Sequence, residues 1–105
     1  MPGPLEGLTI VDCSGGTAGP RATGILADYG ADVIWVEPPN GDPGRRERPA
    51  ANSVFNRGKR SVALDVADNR DRECLLRLLG GADVFVESWR PGFQRLKQNR
   101  RNHSN

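Results

Sequence analysis

Histidine, cysteine and long apolar runs are scarce in this chain of 105 residues. Its one histidine and two cysteines cannot supply the set of Cys and His ligands that a structural zinc site needs, so we expect no metal. Cys13 and Cys74 lie far apart in apolar stretches, which is typical of small buried residues in a reducing compartment rather than of a disulfide.

No apolar run approaches the roughly 18 residues that span a bilayer. The first residues, MPGPLEG, lack the basic and apolar regions of a secretory signal. We therefore expect a cytoplasmic chain with no membrane partner. Hydrophobic side chains make up 36% of the 105 residues, which is enough for the thin core of one small domain or of part of a larger one.

Positive charge is distributed unevenly along the chain. Residues 1–87 carry 10 basic and 13 acidic side chains, whereas residues 88–105 carry 5 basic and no acidic ones. The densest cluster of cations lies in residues 45–60, where Glu47 is the one acidic residue. It consists of Arg45, Arg46, Arg48, Arg57, Lys59 and Arg60. Such a cluster is either a solvated loop or a cradle for phosphates, and composition leaves both open.

Short β-branched runs alternate with helical patterns and predict strands over residues 8–12, 32–37, 61–65 and 83–87. A first helix is predicted between Pro20 and Gly30, with an apolar face of Ala22, Ile25, Leu26 and Tyr29. A second is predicted after the capping residue Asp68, with Leu75, Leu76, Leu78 and Leu79 on its apolar side. Residues 38–56 contain four prolines and two glycines and are predicted to form a long loop.

This alternation predicts an α/β fold with a Rossmann-like parallel sheet, in the order β-α-β-loop-β-α-β. The folded part is expected to cover residues 1–92. Residues 93–105 show neither apolar periodicity nor turn chemistry, and we expect a basic, disordered tail.

Ligands of such sheets bind at the carboxyl ends of the strands. After the first strand, glycines at positions 15, 16 and 19 lead into a helix, which indicates either an anion site or a tight turn. They match neither the P-loop nor the dinucleotide fingerprint. Glu37 lies where a dinucleotide fold places its ribose-binding acid, so an NAD or FAD module is one alternative. Because Ser14 and Ser88 have no nearby base and His103 lies in the tail, we assign no catalytic residue.

Four blocks follow one another in order: PLEGLTIVDCSGGTAGP, LADYGADVIWVEPPNGDPGRR, FNRGKRSVALDV and LLGGADVFVESWRPG. With their spacing, they resemble the N-terminal segment of the family III CoA-transferases, the CaiB/BaiF group, which includes formyl-CoA transferase and α-methylacyl-CoA racemase. The match covers residues 4–92. Relative to the family's complete domain, the predicted sheet is incomplete.

The resemblance implies binding of coenzyme A or an acyl-CoA, with a carboxylic acid as second substrate. It places CoA contacts at Thr17, Ala18, Pro38, Arg45, Arg46, Arg57, Lys59, Arg60, Ser88, Trp89 and Arg90. Formyl-CoA transferase-like members have glutamine at the position of Thr17, arginine at Pro38 and an Asn-Phe pair at Ser88-Trp89. These departures put a formyl or oxalyl substrate, and some of the individual contacts, in doubt.

Family transferases use an aspartate nucleophile that lies downstream of the matched region, and full-length relatives form interlocked homodimers. No residue of this chain matches that aspartate, so we expect the 105 residues alone to be inactive. Two other functions remain open besides a CoA-transferase or racemase part: the dinucleotide module, and a nucleic-acid-binding fragment that uses the basic tail.

Overall fold

The computed structural model describes residues 3–15 and 18–87. The strands are β1 (Thr9–Cys13), β2 (Asp32–Glu37), β3 (Arg60–Ala63) and β4 (Val84–Glu87). The helices are α1 (Ala18–Asp28), α2 (Gly44–Glu47), α3 (Pro49–Phe55) and α4 (Asn69–Gly80). The predicted tail and four predicted contact residues lie outside the described residues: Thr17, Ser88, Trp89 and Arg90.

The four strands form one parallel sheet in the order β3-β2-β1-β4. Ile10 of β1 lies opposite Val33 on one side and Val84 on the other. The chain thus builds outward from β1 to β3 and then returns to place β4 on the free side of β1. All strands end at the same edge of the sheet, called the carboxyl edge below. The predicted α/β class is confirmed.

Successive side chains of the central strands point to opposite faces of the sheet and pack into two separate cores. On the α4 side, the core contains Val11, Cys13, Val36, Leu64, Leu75 and Leu79. On the α1 side, Ile10, Ala31 and Val33 are buried, with Leu26 and Ala27 packed against them. This alternation explains why two β-branched runs of five and six residues become the central, most buried strands.

The predicted apolar face of α1 is wrong except at Leu26, which packs against the core. Ile25 and Tyr29 are 49% and 52% exposed, and the residues that α1 buries are Pro20, Thr23 and Gly24. A Cβ on Gly24 would lie 2.2 Å from the carbonyl oxygen of Phe55, so α1 and α3 approach through a position where only glycine fits. Periodicity of large apolar residues missed this contact because small residues make it.

The predicted long loop over residues 38–56 is also wrong, since α2 and α3 occupy much of it. Pro43 is the N-cap residue of α2, and Pro49 is the first residue of α3. Proline is well tolerated at a helix start because the amide hydrogen it lacks has no helical partner there. Helix α3 contains no buried residue, so it carries no apolar periodicity that a sequence pattern could reveal.

The predicted ends of the two longer helices are confirmed. Asp68 caps α4 by accepting hydrogen bonds from the backbone N–H groups of Arg70 and Asp71. Gly30 follows α1 with a φ of 103°, a left-handed conformation that favours glycine. Both cysteines are free, but Cys74 is exposed, so its predicted burial is wrong. Within residues 3–15 and 18–87, no helix has the length and hydropathy to cross a membrane.

Candidate functional site

A cavity of about 340 Å³ opens at the carboxyl edge, where β1, β2 and β3 end. Its apolar wall consists of Cys13, Val36, Pro38, Pro39, Leu64 and Val66. Its polar lining consists of Ser14, Gly15, Glu37, Asp42 and Asp65. Burial raises the pKa of the Cys13 thiol, and the neighbouring carboxylates of Asp12 and Glu87 raise it further, so this wall residue is a neutral thiol. The cavity suits an uncharged ring more than an anion.

Glu37 is the last residue of β2, and both oxygens of its buried carboxylate accept hydrogen bonds from the protein. Arg45 donates from Nε to Oε1 at 2.6 Å and from Nη2 to Oε2 at 2.8 Å. Ser61 Oγ and the Asp42 N–H donate at 2.5 Å and 2.9 Å. The Arg45 bonds, with help from Ser61 and Asp42, lower the pKa of Glu37 to about 2 despite its burial. The dinucleotide alternative depended on a Glu37 that is free to bind ribose, and this carboxylate is occupied.

Arg45 forms the outer side of the same group. Its guanidinium carbon lies 4.7 Å from the centre of the Trp35 ring, and its side chain is 49% exposed. The bonds to Glu37 raise its pKa above the ordinary value. The Glu37 carboxylate and the Trp35 ring together hold this cation, with about half of its side chain open to solvent.

Asp12, the last residue but one of β1, has a carboxylate that is completely buried. Its Oδ1 accepts from the Ser14 N–H at 2.8 Å and from Ser14 Oγ at 2.5 Å. Its Oδ2 accepts from Thr23 Oγ1 at 2.5 Å and from Lys59 Nζ at 3.0 Å. Three residues therefore meet at a single carboxylate: one directly after β1, one on α1 and one before β3.

Lys59 is the cation of this buried group, and its side chain is 0% exposed. Its ammonium also donates to the Pro20 carbonyl at 3.0 Å and to Asn56 Oδ1 at 2.6 Å. Burial lowers the pKa of Lys59, while Asp12 opposes that change. Gly58, with a φ of 77°, makes the turn between α3 and β3 that precedes this inward side chain. The three donor sites of the ammonium are used within the chain.

The other predicted cations lie apart on the surface. Arg57 pairs with Asp28 at 2.9 Å, and Arg60 pairs with Asp32 at 2.6 Å. Arg46 donates to the Asn40 carbonyl at 3.2 Å. The described lining of the cavity contains no arginine or lysine, and Arg45 reaches it only through the lining residue Glu37. The dense cluster in the sequence is thus spread around the fold and largely neutralised by carboxylates from elsewhere in the chain.

Two further predicted contacts are described. Pro38 lines the cavity directly after β2, and Ala18 is the exposed first residue of α1. The two described glycines near the start of α1 have different roles. A Cβ on Gly19 would lie 2.3 Å from the Ser14 side chain, so Gly19 is required by packing, whereas a Cβ on Gly15 would meet nothing within 4 Å.

Sequence reasoning missed Thr23, Asn56 and Ser61, which complete the two buried carboxylate groups. All three are polar residues of ordinary appearance, and a pattern of apolar periodicity ignores them. A search for small hydroxyl or amide residues inside helical and strand patterns offers the one signal that could have found them.

Comparison with known proteins adds to this geometry. The model of CoA-transferase family III matches residues 5–102. The chain belongs to this family. The structural match agrees, because a CAIB/BAIF family protein from Brucella suis superposes with a TM-score of 0.85 at 36% identity, over 92% of this chain and 29% of that one. The resemblance read from the four sequence blocks is confirmed.

Among curated members of CoA-transferase family III, the chain is 40% identical to the probable fatty acyl-CoA transferase Rv3272 of Mycobacterium tuberculosis. It is 43% identical to succinyl-CoA:mesaconate CoA-transferase of Haloarcula hispanica. These matches cover 85% and 86% of this chain but 25% and 26% of the relatives. A crystal structure of Rv3272 superposes with a TM-score of 0.84 at 38% identity, over 91% of this chain and 27% of that one. The chain therefore spans about a quarter of its relatives' length.

Proposed function

We propose that this chain is the CoA-binding part of an enzyme that transfers CoA between an acyl-CoA and a carboxylic acid. The observation that carries the proposal is the largely apolar cavity at the carboxyl edge of a family III sheet. Parallel α/β sheets bind their ligands at this edge. The transferase alternative is favoured over the racemase one because the curated relatives named above are CoA-transferases.

The cavity chemistry supports placing the adenine ring of CoA there rather than its phosphates. Val36, Leu64 and Val66 offer apolar contact surface, and the rim carries the carboxylates of Asp42 and Asp65. Carboxylates repel phosphate but accept hydrogen bonds from an amino group. The phosphates would lie outward, towards the half-exposed Arg45 and the exposed Arg46.

The proposal assigns different roles to the eleven residues predicted at the outset. Pro38 lines the cavity and Arg45 is bonded to its lining residue Glu37, so both are kept as CoA contacts. Arg46 and Ala18 are exposed, do not line the cavity and are kept from the family resemblance. Arg57 and Arg60 form exposed ion pairs with Asp28 and Asp32, which argues against a direct role. Lys59 is sealed from solvent, so its role is in holding the fold. Thr17, Ser88, Trp89 and Arg90 remain proposed contacts from the family resemblance.

The 105 residues alone are proposed to bind CoA without transferring it. Near the cavity, Asp12 and Glu37 are buried among donors, and no residue of the chain matches the aspartate nucleophile that the family resemblance implies. A nucleophilic carboxylate must reach the acyl carbon with a free oxygen. An assay of CoA exchange between an acyl-CoA and a free acid should match the no-protein control, and exchange above that control would refute this part.

Two exposed valines give a matched test of CoA binding. Val66 lines the cavity and is 37% exposed, whereas Val54 on α3 is 58% exposed and lies away from it. Titration calorimetry of the full chain should show that Val66→Trp, which fills the cavity mouth, weakens CoA binding by at least about tenfold. Val54→Trp should bind like the original chain. Equal CoA affinity in both variants, or tighter binding of NAD than of CoA, would overturn the proposal.

A further inference from the structure

One carboxylate controls both sides of the connection between β1 and α1. Ser14 precedes the connection and is bonded to Asp12 through its N–H and its hydroxyl. Thr23 follows it on α1 and bonds the other oxygen of the same carboxylate. Pro20, in the first turn of α1, is held by the ammonium of Lys59, which itself pairs with Asp12.

A buried ion pair of this kind is a weak source of net stability. Removing two charges from water costs several kcal/mol, and apolar residues of similar volume often replace such pairs without loss. What the pair does supply is a fixed arrangement of the elements around it, since the bonds of Asp12 and Lys59 reach different elements of the fold. Asn56 adds the end of α3 to the same group.

The group is connected to the cavity through Ser14. Ser14 and Gly15 both line the cavity wall. The Ser14 hydroxyl lies 2.5 Å from Asp12 Oδ1, so its position depends on where that carboxylate is held. Lys59 and Thr23 hold the carboxylate from the opposite oxygen.

We infer that Asp12 and Lys59 are positioning residues for CoA binding: their buried pair fixes Ser14 and the start of α1, and thereby sets the shape of the cavity wall. Lys59 acts without touching the ligand, and this assignment replaces its expected role as a phosphate contact. The CoA-affinity part rests on the proposed function, whereas the effect on Ser14 and Gly15 does not.

The test compares two double variants of the full chain, each of which neutralises one ion pair. Asp12→Asn with Lys59→Met neutralises the buried pair, and Asp32→Asn with Arg60→Met neutralises the exposed pair between neighbouring strands. Amide correlation spectra should show displaced Ser14, Gly15 and Ala18 signals in the first variant alone. Its CoA affinity should fall about tenfold, which is within the coupling measured inside one hydrogen-bond network.

Two further variants separate positioning from stability and from misfolding. Leu8→Ala removes packing against the other core, none of whose residues lines the cavity, and should lower stability without changing the Ser14 signal or CoA affinity. Thr23→Val keeps the ion pair but removes one donor to Asp12, and it should shift the Ser14 and Gly15 amides even if the double variant fails to fold. Unchanged Ser14 and Gly15 signals in Thr23→Val, or an equal loss of affinity in Leu8→Ala, would overturn the inference. If the original chain does not bind CoA, the proposed function fails and the amide signals still decide the positioning role.

Discussion

The basic segment, residues 38–60, has two halves that differ in how they are attached to the fold: an open half, residues 38–48, and an anchored half, residues 49–60. Residues 49–60 are anchored on α1: Phe55 approaches Gly24, and Lys59 reaches Asp12 and Pro20. Residues 38–48 surround Glu37, and their arginines remain partly open to solvent, with Arg45 49% exposed. The same residue types thus have an architectural role in one half and an accessible charge in the other.

Burial of the cation makes this difference. Lys59 and Arg45 each pair with a carboxylate at the end of a central strand, at 3.0 Å and 2.6 Å. The ammonium of Lys59 is sealed among three acceptors, whereas the guanidinium of Arg45 leaves one side free. A count of charges along the sequence treats the two alike, but only an accessible cation can meet a phosphate.

The largest effect is expected from breaking the buried pair on one side. Lys59→Met leaves Asp12 charged and unpaired in the core, which should cost about 3–5 kcal/mol of unfolding free energy. Arg60→Met removes an exposed partner of Asp32 and should change stability little, because solvent already screens that pair. Urea unfolding of both variants measures the difference. Equal stability would show that the Lys59 pair is no more structural than a surface one.

The close contact between α1 and α3 gives the next largest effect. Gly24→Ala places a Cβ 2.2 Å from the Phe55 carbonyl oxygen, so the helices must separate, at a cost of about 1–3 kcal/mol. Gly80→Ala, at the end of α4, meets nothing within 4 Å and should leave stability equal or slightly higher. Thermal unfolding of the two variants compares them. A stable Gly24→Ala variant would mean that the anchored half has room to move.

In the open half, the contribution of the Glu37–Arg45 pair to stability should depend on pH. The folded-state pKa of Glu37 is about 2, below its ordinary 4.5, so its contribution is present above pH 4.5 and is lost as the pH falls towards 2. Glu37→Gln lacks this titration. Between about pH 6 and pH 2.5, the original chain should lose about 1–2 kcal/mol more than the variant. Urea unfolding at both pH values measures this difference, and an equal loss of unfolding free energy in the original chain and in Glu37→Gln would contradict the assigned Arg45 bonds.

The strands were predictable because their β-branched runs pack on both faces of the sheet, and β2 was found within its predicted bounds. The contact face of α1 was not, since Thr23 and Gly24 make it with no large apolar side chain. Helix α3 buries no residue, so its sequence has no period to read. Patterns of hydrophobicity thus reveal elements that have an apolar face and miss those held by small or polar contacts.

The site was harder to predict because charges pair across the fold. Lys59 lies 47 residues from Asp12, and Arg57 lies 29 residues from Asp28. A short stretch of sequence contains the cations but not their carboxylates, which is why residues 45–60 showed a local excess of positive charge and left a phosphate cradle open as one alternative. Pro38 and Arg45 could be placed near the site because they lie in the segment that follows a predicted strand.

The smallest effect should come from Arg46, whose exposed guanidinium donates to the Asn40 carbonyl in the connection between β2 and α2. If the open half meets the CoA phosphates, Arg46→Gln should weaken CoA binding by about 1 kcal/mol, or roughly fivefold, since one charge-assisted bond is lost. Arg60→Gln, in the anchored half, should bind CoA normally. The loss should shrink as salt is raised, because screening already weakens an exposed charge. A fivefold loss in Arg60→Gln and none in Arg46→Gln would reverse the assignment of the two halves.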